Sequence, residues 1–127
     1  MSPSIAPVTR TITQSQIEAY ADASGDHNPI HVDPGFARAT PFGGTIAHGM
    51  LVLALIGELM RASFGDAWNE TGKLRVRFKA VTRPGDTITA AAAFAKQDGA
   101  RAEYTVQCVS QSGEVVIDGR ASVRTSS

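Results

Sequence analysis

The stretch that most constrains this chain is residues 48–64. Its unbroken apolar run, Met50–Ile56, continues into further apolar positions, and only Glu58 and Arg61 give it a polar side. A membrane-spanning helix takes about 20 apolar residues, so this stretch predicts a helix of a protein core. A helix that is apolar all round its first two turns is expected to be buried on all sides, so the rest of the chain has to wrap around it. The residues that follow are patterned to do so. Leu74, Val76, Phe78 and Ala80 alternate with Lys73, Arg75, Arg77 and Lys79. Ile88, Ala90, Ala92 and Phe94 form a second inward set, Ala102, Tyr104, Val106 and Cys108 a third, and Val115, Ile117, Ala121 and Val123 a fourth. Period-two alternation gives each strand one dry and one wet face. Pro84-Gly85-Asp86, Asp98-Gly99 and Ser112-Gly113 mark the turns between them.

Ahead of the apolar helix, Pro7–Ile12 reads as a short strand. Thr13 opens a helix with Gln16 as its capping-box partner. The helix runs to about Ala23 on an inner face of Ile17, Tyr20 and Ala21, and Gly25 stops it. Residues 24–46 are rich in Gly, Pro, Asn and Asp and form a long loop, with one short helical turn after Pro34. One domain is expected over residues 1–127, its core over about 8–124. Helices followed by antiparallel strands indicate an α+β fold. Its simplest assembly is a curved antiparallel sheet wrapped around the apolar helix, the arrangement called a hot dog. An open sheet edge is a liability unless it is paired, which predicts a homodimer or a dimer of dimers.

Composition removes several function classes. Lys+Arg 12 against Asp+Glu 12 leaves no net charge to recruit nucleic acid or an anionic membrane. One Cys excludes an internal disulfide framework, and with three His it leaves little material for a metal site. No apolar stretch at the N-terminus resembles a secretory signal. A cytoplasmic protein without a metal is the expectation, with Cys108 as inert packing.

The chemistry is concentrated in residues 24–33, Ser-Gly-Asp-His-Asn-Pro-Ile-His-Val-Asp. Asp26 and His31 flank an Asn-Pro pair, and Pro29 pushes Asn28 out of the helical region. A turned loop can aim a carboxylate and an imidazole at one point, where together they hold a water and take its proton. Taken alone, such a pair is more often a turn cap and an ordinary loop histidine. Asn28 is expected to fix the loop through backbone hydrogen bonds, and His27 to point outward. His48-Gly49 then falls where the apolar helix begins. The Gly49 N–H, unpaired and at the positive end of that helix, is the candidate oxyanion donor. Arg77 is a candidate contact for a phosphate-bearing substrate at a dimer cleft, against the plainer reading of a solvated strand face.

Taken together these segments resemble the MaoC-like dehydratases, the (R)-specific enoyl-CoA hydratase family. The resemblance rests on Gly25-Asp26-His27-Asn28-Pro29-Ile30-His31, on Ala37 after it, on Ala47-His48-Gly49-Met50, on the strand Arg75–Val81 and on Arg83-Pro84-Gly85-Asp86. It implies a hot-dog fold, a dimer, and syn hydration of a trans-2-enoyl thioester to the (R)-3-hydroxy product, or the reverse dehydration. Asp26 and His31 would be the catalytic pair. No cofactor is implied, since CoA is part of the substrate. Some members carry a serine along the central helix at the position that is Gly57 here; Gly57 is read instead as widening the acyl pocket. Three alternatives stand beside this reading. A 3-hydroxyacyl-carrier-protein dehydratase of fatty-acid or polyketide synthesis would use the same pair. A hot-dog thioesterase would place a carboxylate on the central helix, where Glu58 is the only acid. A silent partner subunit would not require the pair at all.

Overall fold

The structure, a computed structural model, describes residues 5–125. In chain order it contains β1 (Val8–Thr11), α1 (Gln14–Ser24), α2 (Pro29–Val32), α3 (Pro34–Arg38), α4 (Gly49–Phe64), α5 (Asp66–Thr71), β2 (Lys73–Phe78), β3 (Thr87–Asp98), β4 (Arg101–Ser110) and β5 (Val115–Arg124). The five strands form one antiparallel sheet in the order β1-β3-β4-β5-β2. Consecutive β3, β4 and β5 pair as hairpins, while β1 and β2 close the two edges.

Helix α4 lies against this sheet. Val52, Leu55, Ile56, Leu59 and Met60 are buried in one core with Ile88, Ala90, Tyr104, Val106, Cys108, Ile117 and Val123. The alternation on β4 is complete, with Ala102, Tyr104, Val106 and Cys108 all buried. Fully burying an aliphatic side chain such as Val106 or Ile56 contributes roughly 1.5–3 kcal/mol. Small side chains at Ala90 and Ala92 leave the helix room to approach β3.

Helix α1 forms where the sequence places it. Thr13 accepts from Gln16 N and the Gln16 side chain accepts from Thr13 N, completing the capping box. Gly25 ends the helix at φ 81°, a left-handed conformation that costs glycine nothing.

Two local expectations are corrected and one element is added. Helix α4 is not buried on all sides, because Met50 is 56% exposed and Ala54 is exposed as well; the sheet covers only one side of it within the chain. The segment after Asn28 does more than turn. Pro29, with its fixed φ, sits in the first turn of α2, and Asn28 caps it by accepting from Ile30 N at 3.1 Å. Residues 66–71 add the short helix α5, packed through Trp68 against the chain reversal at Gly72. No helix of the described residues is long and apolar enough to cross a membrane.

Candidate active site

The loop from Gly25 to His31 leaves α1 and folds back against the start of α4. Asp26 Oδ1 accepts from Asn28 N at 3.2 Å, and the His31 N–H closes a turn onto Asn28 O at 2.9 Å. The loop is then strapped to residues 45–46. Ile46 N donates to Ile30 O at 3.2 Å, and His31 Nδ1 lies 2.8 Å from Ile46 O. A carbonyl oxygen only accepts, so Nδ1 carries the hydrogen and the neutral ring keeps its lone pair on Nε2. Gln14, at the first turn of α1, donates from Nε2 to His31 O at 2.9 Å, while its Oε1 accepts from Thr45 Oγ1 at 2.8 Å. Ala47 N, bonded to Thr82 O at 2.7 Å, ties the same strap to the β2–β3 connection.

An Asp26 carboxylate oxygen and one ring nitrogen from each of His31 and His48 lie within 4.8 Å of one another. Groups held this close can be bridged by one shared water. Asp26 is exposed and His31 half-buried, so water reaches the pair. His31 also lines a pocket of about 190 Å³ whose walls include Ile46, Gly49, Val52, Phe78, Thr82 and Ile117. His31 is therefore an imidazole in the wall of a mostly apolar pocket, and Asp26 lies outside its lining.

Gly49 is the first residue of α4, and His48, its N-cap, makes no capping bond with its side chain. A Cβ built on Gly49 would come within 2.8 Å of the Phe78 ring. Glycine here lets that ring pack directly on the start of the helix, beside its first N–H groups.

The remaining sequence candidates separate. Asn28 Oδ1 accepts from Ile30 N within the loop, and His27 points outward to Asp22, with Nε2 3.0 Å from Oδ1. That hydrogen bond raises the His27 pKa above its ordinary value. Arg77 lies on the face of β2 opposite Phe78, and its Nε is 3.5 Å from Asp118; within this chain it does not meet the pocket. Gly57 is two turns along α4 from Gly49 and does not line the pocket. Glu58 is salt-bridged to Arg10 on β1, so no central-helix carboxylate faces His31. Burial pushes the Cys108 thiol up to about 11, which makes it an unreactive core residue.

His48 is the residue that sequence reasoning passed over. It is 3% exposed, its ring is stacked on His31 with centroids 3.8 Å apart and planes 25° from parallel, and its Nε2 lies 2.9 Å from Asp26 O. The signal available was a histidine at a helix N-cap, where Ser, Thr, Asp or Asn would be preferred. The three side chains do not make a metal cage. With His31 Nδ1 and His48 Nε2 each bonded to a carbonyl oxygen, the nitrogens left to bind are His31 Nε2 and His48 Nδ1, and the in-plane lone pairs of the two stacked rings run side by side rather than converge.

A curved antiparallel sheet packed on a central helix, with a carboxylate and an imidazole at the helix start, defines a hot-dog protein. The chain belongs to the MaoC like domain family, which matches residues 3–114. It is 54% identical over 54 residues to the 3-hydroxyacyl-thioester dehydratase Z of Mycobacterium tuberculosis; that stretch is 42% of this chain and spans only 36% of the relative's length. It is 33% identical over 119 residues to an (R)-specific enoyl-CoA hydratase of Rhodospirillum rubrum, covering 93% of this chain and 83% of the relative. Its fold superposes on an (R)-hydratase from A. caviae involved in PHA biosynthesis with a TM-score of 0.85, at 27% identity and 99% coverage of both chains.

Proposed function

We propose that this chain adds water to trans-2-enoyl-CoA to give (R)-3-hydroxyacyl-CoA, and catalyses the reverse dehydration. The observation that carries the reading is that His31, with its Nε2 lone pair and a carboxylate within 4.8 Å, lines the same pocket as Gly49 at the start of α4. The kinship with (R)-hydratases supports the substrate class and the stereochemistry.

Asp26 and His31 hold one water. Its oxygen bonds to C3 as the pair takes its proton, and the C2–C3 electron pair moves toward the thioester carbonyl. The developing oxyanion sits at the N-terminus of α4, where the Gly49 N–H donates and the helix dipole is favourable. The proton is then delivered to C2 on the same face, so one water is added and nothing is oxidised or reduced. The reaction calls on no metal or redox cofactor. CoA is the substrate's carrier.

The working unit is proposed to be a homodimer or a dimer of dimers. Strand β2 is an open edge, and Phe78 and Met50 beside the pocket are 53% and 56% exposed. A second copy would cover them, and only across such a dimer would Arg77 reach a CoA phosphate. Light scattering measures the assembly.

The reaction is tested by following crotonyl-CoA absorbance with the purified protein, then resolving the product by chiral chromatography. The (R)-3-hydroxy thioester is expected. The (S) product, or free acid with CoA thiol, overturns the reading.

A further inference from the structure

His48 has no part in the steps above, yet its placement is the most constrained in the site. It occupies the N-cap of α4 without capping it. Its ring is turned instead toward a residue 22 positions earlier in the chain, where Nε2 lies 2.9 Å from Asp26 O. That oxygen only accepts, so His48 is the Nε2–H tautomer and its Nδ1 is left as an acceptor. Nδ1 is buried and has no partner among the described residues. An unmatched buried acceptor is costly, and leucine or phenylalanine would fill the same space without it. One ring face covers His31, and Tyr20 of α1 packs at a tilt with its centroid 4.8 Å away. Helix capping and simple packing therefore both fail to account for a histidine here, whereas the bond to Asp26 and the stack on His31 do.

We infer that His48 is a positioning residue: its Nε2–H holds the Asp26 main chain while its ring face holds His31, so that carboxylate and imidazole stay aimed at one water. The two restraints are complementary. The bond to Asp26 O fixes the peptide plane from which the carboxylate springs. The stack confines the His31 ring to its own plane, and the Nδ1–H bond to Ile46 O stops rotation within that plane. This inference rests on the proposed hydration for its kinetic consequence, but not for its structural one.

Three variants separate the two restraints. His48→Phe keeps the ring face and loses the N–H, His48→Gln keeps a donor and loses the face, and His48→Leu loses both. Each is followed by kcat and KM on crotonyl-CoA, by a melting curve, and by the ring ¹⁵N resonances of His31. For His48→Leu, kcat should fall by about 10²-fold, the scale of a misplaced reacting group, with KM little changed. His48→Phe and His48→Gln should each recover part of that loss, and the His31 resonances should move in all three. If His48→Leu does not fold, the other two carry the same comparison. A folded variant set with wild-type kcat overturns the inference. So does a loss of kcat that tracks the melting temperature while the His31 resonances stay in place. If the wild-type protein does not hydrate crotonyl-CoA, the proposed reaction fails, and the His31 resonances alone decide the positioning: unmoved, they overturn it.

Discussion

Gln14 Nε2 donates to the His31 carbonyl oxygen at 2.9 Å, so the first turn of α1 holds the end of the loop that the same helix releases at Gly25. The amide works from both ends, since its Oε1 accepts from Thr45 Oγ1 at 2.8 Å. One side chain thus links α1, the His31 loop and the strap that leads into α4.

Gln14→Ala removes both bonds and leaves the half-buried His31 carbonyl and Thr45 hydroxyl to find water. A neutral hydrogen bond contributes about 1 kcal/mol net, so with two lost a melting temperature lower by about 8 °C is expected. Because the lost bond ends on His31 itself, kcat for crotonyl-CoA should fall as well, by about tenfold for a sub-ångström shift of the imidazole. A lowered melting temperature with unchanged kcat would show that the clamp serves only stability.

Asp26→Asn and His31→Ala should each lower turnover by about 10²–10⁴, the usual contribution of a positioned acid or base. Their double mutant should be little worse than either alone, because a water held by two groups is lost when one goes. Asp26 is exposed, its main-chain oxygen keeps the bond to His48, and an asparagine oxygen can still accept from Asn28 N, so the Asp26→Asn protein should fold. Near-wild-type rates from folded Asp26→Asn would remove the carboxylate from the mechanism.

Much of this frame is legible in the sequence because its causes are local. Thr13 and Gln16 cap α1 from three residues apart, Gly25 ends it, and the alternation of Ala102, Tyr104, Val106 and Cys108 fixes which face of β4 is dry. Helix α2 is hidden by a competition between two effects of one residue. Pro29 bars Asn28 from helix, which reads as a turn, and in the same stroke starts the next helix as its first residue. The open flank of α4 at Met50 is not readable, because an apolar pattern shows what prefers burial and not what covers it. His48 is illegible for a different reason: its partners Asp26, His31 and Tyr20 are brought to it by the loop's path, and no spacing in the sequence encodes that path.

His27 offers a control inside the same motif. Its hydrogen bond to Asp22, reinforced by that carboxylate's charge, raises its pKa above 6.5. An NMR titration should find the midpoint above that value, and Asp22→Asn should bring it down. The sign for stability follows. The folded value is above the unfolded one, so the contribution is fully present below pH 6.5 and is lost as the pH rises through the folded midpoint. The ring is exposed and the pair is screened by solvent, so the effect on melting is expected to be small. His27→Gln should leave kcat unchanged; a large fall would place His27 in the chemistry and contradict its outward position.

Gly57 carries the last expectation, and the structure narrows it. A glycine inside a helix costs about 1 kcal/mol relative to alanine, so something has to want the missing side chain. Packing within the chain is not the reason, because a Cβ built there meets nothing within 4 Å. The space is open, half-buried, and lies along the row Gly49, Leu53, Gly57, which turns by about 40° per step of four residues on the helix surface. What remains to occupy it is the substrate's acyl chain, running from the pocket along α4, or a second copy of the protein. The acyl chain is the expected occupant. Gly57→Ala should then raise the melting temperature by about 4 °C through helix propensity alone. Gly57→Leu should depress activity on long enoyl-CoAs selectively, while the crotonyl-CoA rate, the melting temperature and the assembly seen by light scattering persist. An equal loss on short and long chains, accompanied by dissociation to a smaller species, would give the position to the second copy instead.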